Sequence, residues 1–249
     1  RNAEKMYMLD HSIDSLYKPK LLSYYRGSPG DTTMVMVNGN PSVTVGNIAA
    51  ACVGDSAQTL NVGLPFGGVY SGNNISMDSV FMPMFVGLDT IVYTYTDGNG
   101  CSNSVINTLT TLPPPTVTLS AFPAICEDYF PFALTGGKPV GGTYSGNGIS
   151  NDTIYPSLSG TGNITIQYRF TATNGCSAQT SRNITIDAKP AKPNVFIYGT
   201  DSLLADVNAP LYQWYYEGQI YPEVTKVIYA QLTGFYQVEA INGTCSSER

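Results

Sequence analysis

Charge is scarce in this 249-residue chain: Asp, Glu, Lys and Arg together make up 12 % of it, about half of the ~25 % usual in soluble domains. Residues 41–115 contain no Lys or Arg at all, against Asp55, Asp78, Asp89 and Asp97. The formal net charge is −6, and no basic stripe exists, which argues against nucleic acid as a partner. An acidic, weakly charged surface does not suit anionic membranes either. No apolar run approaches the ~20 residues of a membrane span, so direct membrane insertion is not expected. Histidine occurs once, as His11. A Ser-His-Asp or Cys-His site would have to use it, and no G-x-S-x-G nucleophile motif accompanies it. The chain opens on Arg1 without a signal-peptide pattern, which reads as a processed chain or a fragment.

What is present points to β structure. The chain has 18 Tyr, 25 Gly and 16 Pro, and 43 % hydrophobic residues. Thr, Ser, Val, Ile and Tyr fill the runs between turn signals, as in folds of many short strands. Ile91, Tyr93 and Tyr95 alternate with Val92, Thr94 and Thr96, the period of a half-buried strand. Asp97-Gly98-Asn99-Gly100 then supplies a hairpin turn. Tyr212, Trp214 and Tyr216 alternate in the same way further on.

One unit of the sequence occurs twice. Pro41–Val45 matches Pro115–Leu119, Gly67–Gly72 (GGVYSG) matches Gly141–Gly146 (GGTYSG), and Asn99-Gly100-Cys101 matches Asn174-Gly175-Cys176. Asn74 stands where the second copy has Gly148, which marks a turn position of positive φ. The period, the interval from Cys52 to Cys126, is too long for a solenoid or propeller unit and suits a small β domain. Residues 41–114 and 115–192 read as two full repeats, and 193–249 as a divergent, shortened third. Residues 1–40 read as the end of a preceding domain or an extended arm, with strand, turn and strand between Leu21 and Val37. Proline-rich joints, Pro113-Pro114-Pro115 and Lys189–Pro193, separate the units as semi-rigid spacers. The fold class expected is all-β, a tandem of antiparallel β-sandwiches of immunoglobulin-like type.

The cysteines fall into columns: Cys52 with Cys126, and Cys101 with Cys176 and Cys245. With no C-x-x-C pair and no nearby His, metal ligation is disfavoured. The spacing reads as two intradomain disulfides, Cys52–Cys101 and Cys126–Cys176. Each would contribute roughly 4 kcal/mol by closing a loop of about 50 residues. Disulfides imply an oxidising, extracytoplasmic compartment. Cys245 reads as a vestige or an intermolecular link.

Other constellations are weak. Glu127 and Asp128 are adjacent, so on an extended segment they point apart rather than across a cleft. Asp97-x-Asn99 could open a calcium loop, but the further ligands are missing. Tyr212, Trp214, Tyr215 and Tyr216 are the aromatics that could form a glycan platform, although a Trp on such a strand usually packs in the core. No catalytic residue, metal or cofactor emerges.

The motifs GG-x-Y-S-G-x-x-I, the runs ending in N-G-C-S, and the Y-Q-W-Y-x-x-G unit resemble immunoglobulin-like or PKD-like repeats of secreted and surface proteins of the Bacteroidota. The resemblance covers about residues 41–247. It implies a non-catalytic stalk or adhesin segment outside the cell, as in gliding-motility adhesins and type IX secretion cargo. Implied partners are type IX secretion or outer-membrane anchoring components and a surface polysaccharide or host or substratum ligand, with self-association as a further option. Accessory stalk domains of a secreted hydrolase, or a fibre subunit, are the alternatives. Seven of the twelve Asp precede Ser or Thr and then a small or apolar residue, at Ser15, Thr32, Ser56, Ser79, Thr90, Thr153 and Ser202. That triplet is similar to the O-glycosylation signal of the same group. The competing reading is that Asp-Ser/Thr starts strands after turns.

Overall fold

The structure, a computed structural model, describes residues 20–25 and 32–249, with side chains from Val37 onward. The chain forms two compact units, Arg1–Pro114 and Pro115–Arg249. Apart from one helical turn, Pro156–Ser159, the regular elements described are strands. They build immunoglobulin-like antiparallel β-sandwiches.

Thr/Ser-rich alternation sets the long hairpins. In the first unit Gly87–Thr96 pairs with Ser102–Leu112 along its whole length, placing Ile91 opposite Asn107 and Tyr93 opposite Val105. Asp89, Ile91 and Tyr93 face inward while Leu88 and Thr90 face out, so alternate residues bury as the pleat requires. Val69–Gly72 pairs on one side of this hairpin. On the other side, Ala51–Cys52 runs parallel to the end of the last strand, with Cys52 opposite Leu112. Short strands Gln58–Thr59, Val80–Phe81 and Ile75–Ser76 form the facing sheet. Between the sheets lie Leu60, Tyr70, Phe81, Ile91, Tyr93 and Leu109.

The second unit repeats this layout and adds to it. Gly162–Thr171 pairs with Ser177–Asp187, and Ile125–Cys126 runs parallel to the latter with Cys126 opposite Asp187. Leu119, Leu134, Ile154, Ile166, Tyr168, Ile184 and Ile186 fill that core. A further core around Trp214, Ile228, Val238 and Ala240 lies between two more sheets. One holds Val195–Tyr198, Ser202–Ala205 and Val227–Tyr229. The other holds Gln219–Tyr221, Leu211–Tyr216, Tyr236–Asn242 and Cys245–Ser246. Ahead of all these, Lys20–Tyr25 and Thr32–Val37 pair antiparallel.

The repeated glycine–tyrosine motif has a steric cause. The Tyr168 ring lies against Gly137 and Gly142, where an added Cβ would stand 2.6 and 2.5 Å from ring atoms. The Tyr168 hydroxyl accepts the Gly142 N–H and donates to the Pro139 carbonyl. Tyr144 packs on the same ring at 4.6 Å, and its hydroxyl accepts the Gly137 N–H at 2.7 Å. Tyr93, Gly63, Gly68, Pro65 and Tyr70 make the same arrangement in the first unit. The tyrosine hydroxyl thereby satisfies backbone groups of the loop. Asn74 and Gly148 both have positive φ, 60° and 69°, as their interchange in the repeat implies.

Gly142→Ala is expected to lower unfolding stability by about 1–3 kcal/mol through overpacking. Tyr168→Phe is expected to lose about 1–3 kcal/mol through the unpaired backbone groups. Denaturant titration followed by far-ultraviolet circular dichroism measures both. Two wild-type curves would show that the loop is not held this way.

Candidate functional site

The last strand of each full repeat separates its cysteines. Ser177–Asp187 has 11 residues, a length of about 35 Å at ~3.3 Å per residue. Cys176 precedes its start, whereas Cys126 lies opposite its end at Asp187. In the first unit Cys101 precedes Ser102 while Cys52 lies opposite Leu112. A disulfide needs Cα atoms within about 7 Å. The expected Cys52–Cys101 and Cys126–Cys176 bridges are therefore corrected: one end of a sandwich cannot reach the other.

Cys126 is instead bonded to Cys245, 119 residues later, with Cα atoms 4.9 Å apart. The reading of Cys245 as a vestige or an intermolecular link is corrected with it. Cys52 and Cys176 are also disulfide-bonded, and Cys101 is a free, half-buried thiol.

Around the Cys126–Cys245 bond, the end of one sandwich grips a turn of the next. Asn242-Gly243-Thr244 leads into Cys245, and Asp187 faces it. The Asp187 carboxylate accepts the Thr244 N–H at 2.7 Å and the Thr244 hydroxyl at 2.9 Å. Asn242 Nδ2 donates to the Ala188 carbonyl at 2.9 Å. Gly243 has φ +58°, and a Cβ there would stand 2.1 Å from the Asp187 carboxylate. Glycine thus lets the carboxylate approach the turn.

The adjacent carboxylates Glu127 and Asp128 belong to the same joint. Glu127 accepts the Lys189 N–H at 2.8 Å. Asp128 pairs with the Lys189 ammonium at 2.8 Å, and hydrogen bonding to that carboxylate raises the Lys189 pKa. Lys189 and Asp128 are exposed, and such surface pairs add little to stability. The covalent bridge outweighs them: closing a loop of this length contributes about 5 kcal/mol in the chain-entropy model.

The aromatics considered for glycan binding are placed elsewhere. Trp214 is fully buried and Tyr212 and Tyr215 nearly so, because Leu211–Tyr216 is a central strand of its sheet. Trp214 Nε1 donates to the Thr225 carbonyl at 2.8 Å. Tyr212 accepts the Ala209 N–H and donates to the Val207 carbonyl. Arg249 stacks 3.7 Å over the Tyr215 ring, whose hydroxyl donates to Glu239. Tyr216 is half-buried against Tyr236. The expected platform is corrected to a core and its cover.

The seven triplets divide. Ser15 and the side chain of Thr32 lie outside the described residues. Ser79 and Thr153 are half-buried, and their hydroxyls donate to the Met77 and Asn151 carbonyls. Ser202 is half-buried in its strand. Ser56 and Thr90 are exposed. The aspartates have local roles: Asp78 and Asp152 take positive φ at their turns. Asp55 accepts the Cys52 N–H, and buried Asp89 accepts from Asn74 and Thr111. The Asp97 carboxylate accepts the Asn99 and Cys101 N–H groups and so closes the hairpin turn. Among the described residues no cluster of His, Cys, Asp and Glu could hold a metal. His11 lies outside them.

No family model matches the chain, and no curated protein matches its sequence. Solved structures of tandem domains are similar at low identity. Sidekick-1 immunoglobulin domains 1–5 match over 92 % of this chain at 12 % identity and TM-score 0.24; the chain spans 64 % of that structure's length. A Ca2+-stabilized adhesin with which an Antarctic bacterium reaches out and binds ice matches over 90 % of this chain and 73 % of its own, at 12 % identity and TM-score 0.29. The protocadherin gammaB7 EC3-6 cis-dimer matches over 89 % and 81 %, at 13 % identity and TM-score 0.26. The fold assignment rests on the paired sheets of the chain itself.

The bridge is expected to carry tensile load past the residues it encloses. With the intact chain held at Thr116 and Arg249 in a single-molecule pulling experiment, reduction should release about 400 Å of additional contour length, at ~3.4 Å per enclosed residue. Cys245→Ser should release it without reductant. Equal lengths in both states would contradict the bridge. Gly243→Ala should destabilise the joint by about 1–3 kcal/mol through left-handed strain and contact with Asp187, read by denaturant titration.

Proposed function

We propose that this chain is a non-catalytic segment of an exported cell-surface protein, a stalk or adhesin region in which consecutive sandwiches are clamped together. The observation that carries this reading is the Cys126–Cys245 bridge between consecutive sandwiches. A bond at a joint does little for one domain's core. It fixes two domains against bending and pulling, which serves extension and repeated weak contacts. Disulfides persist in oxidising compartments, which supports an address outside the cytoplasm.

The residue motifs that resemble Bacteroidota surface repeats support a type IX secretion cargo or gliding adhesin, anchored through outer-membrane components and contacting a surface polysaccharide or substratum. Ser56 and Thr90, the exposed hydroxyls of the triplet series, are the proposed O-glycan sites. The full repeats, residues 41–114 and 115–192, and the third unit, 193–249, are the proposed domains.

Protease treatment of intact source cells, with intact-mass analysis of the released protein, tests this reading. Release from the surface, with hexose-containing mass on peptides bearing Ser56 or Thr90, is the expected result. Recovery only from the cytosol, with reduced cysteines and unmodified mass, would overturn it.

A further inference from the structure

We infer that Cys101 is a docking site for a cysteine-bearing strand of a preceding sandwich, joined by the same kind of bridge that holds Cys126 to Cys245. The argument rests on the geometry of two matched joints and is independent of the adhesive reading.

Cys245 follows a glycine-containing turn and sits with its sulfur 3.0 Å from the Asp187 carbonyl, at the end of the preceding sandwich's last strand. Cys126 lies opposite that same Asp187 on a short parallel strand, which is why the two sulfurs meet. Cys101 occupies the matching place in the first repeat. It follows Asn99-Gly100, with Gly100 at φ +80°. Its sulfur lies 3.8 Å from the Asn38 carbonyl. Asn38 directly follows Thr32–Val37, which pairs antiparallel with Lys20–Tyr25 as Ser177–Asp187 pairs with Gly162–Thr171. From Asn38 the chain passes through Pro41 into its repeat, as from Asp187 it passes through Pro193. One half of the joint is therefore in place. Its missing half is a short strand parallel to Thr32–Val37, with a cysteine opposite Asn38.

No cysteine of the chain is left to fill that place. Cys126 and Cys245 hold each other, Cys52 and Cys176 are disulfide-bonded, and the sequence has no cysteine before Cys52. The partner belongs to polypeptide outside this sequence. The repeat also sets its position. Cys52 lies opposite Leu112 and Cys126 opposite Asp187, so nearly the same interval separates the cysteine from its parallel partner in both copies. That interval, counted back from Asn38, passes beyond Arg1 and places the cysteine upstream in the same polypeptide. Bond formation removes one proton and one electron from each of two thiols. A disulfide oxidant accepts both electrons and leaves as a dithiol.

The test is disulfide mapping of the protein isolated from its source, alkylated with N-ethylmaleimide before unfolding and digested without reduction. The Cys101 peptide is expected to be linked to a peptide from upstream of Arg1, whose cysteine precedes Asn38 by the interval that separates Cys52 from Leu112. Cys101→Ser in the same full-length protein should raise the alkylatable thiols from none to one, the orphaned upstream cysteine. A cysteine that only packs would leave no such orphan. Alkylated Cys101 in the native protein would overturn the inference, as would a bond to Cys52, Cys176 or a second copy's Cys101.

Discussion

The length of one strand decides which cysteines can meet. Eleven residues of Ser177–Asp187 hold Cys176 and Cys126 at opposite ends of a sandwich, about 35 Å apart. A cysteine at each end cannot brace the domain that carries it. It can only reach the neighbour at that end, and Cys126 does so through Cys245. The surrounding groups then follow. Asp187, at the strand's last position, holds the Asn242–Thr244 turn, and Gly243 leaves room for the carboxylate. Lys189 anchors the linker to Glu127 and Asp128.

A second constraint works inside each full repeat. Loops between short strands bury too little apolar area to fix themselves. Here a core tyrosine, Tyr93 or Tyr168, reaches through a pair of glycines and satisfies the loop backbone with its hydroxyl. The loop is tied to the core hairpin, and its apolar residues Phe66 and Val140 stand out in solvent. Core and joint are thus connected through the same long hairpin: one face carries the tyrosine, and one end carries the clasp.

Much of the fold was legible where a residue's position alone sets its role. The alternation of Ile91, Tyr93 and Tyr95 gave a strand, and the exchange of Asn74 for Gly148 gave a left-handed turn. Trp214 was legible as core because a Trp on such a sandwich strand usually packs inside, and it is fully buried. The cysteine pairing was misread because spacing along the chain does not state which end of a strand each residue occupies. The signal was there in Asn99-Gly100-Cys101: a cysteine just past a hairpin turn lies at the strand's start. Tyr215 was illegible for another reason. Its cover is Arg249, brought over the ring by folding rather than by sequence neighbourhood. Likewise Gly142 was visible as part of a motif, but its cause, the tyrosine ring 26 residues on, is a tertiary contact.

The central claim is that the bridge joins two sandwiches instead of closing one. Non-reducing peptide mapping of the oxidised 249-residue protein tests it directly by asking which cysteine Cys126 is bonded to. The expected crosslinked pair carries Cys126 and Cys245. A peptide pair carrying Cys126 and Cys176 would place the bond inside one sandwich and contradict the account.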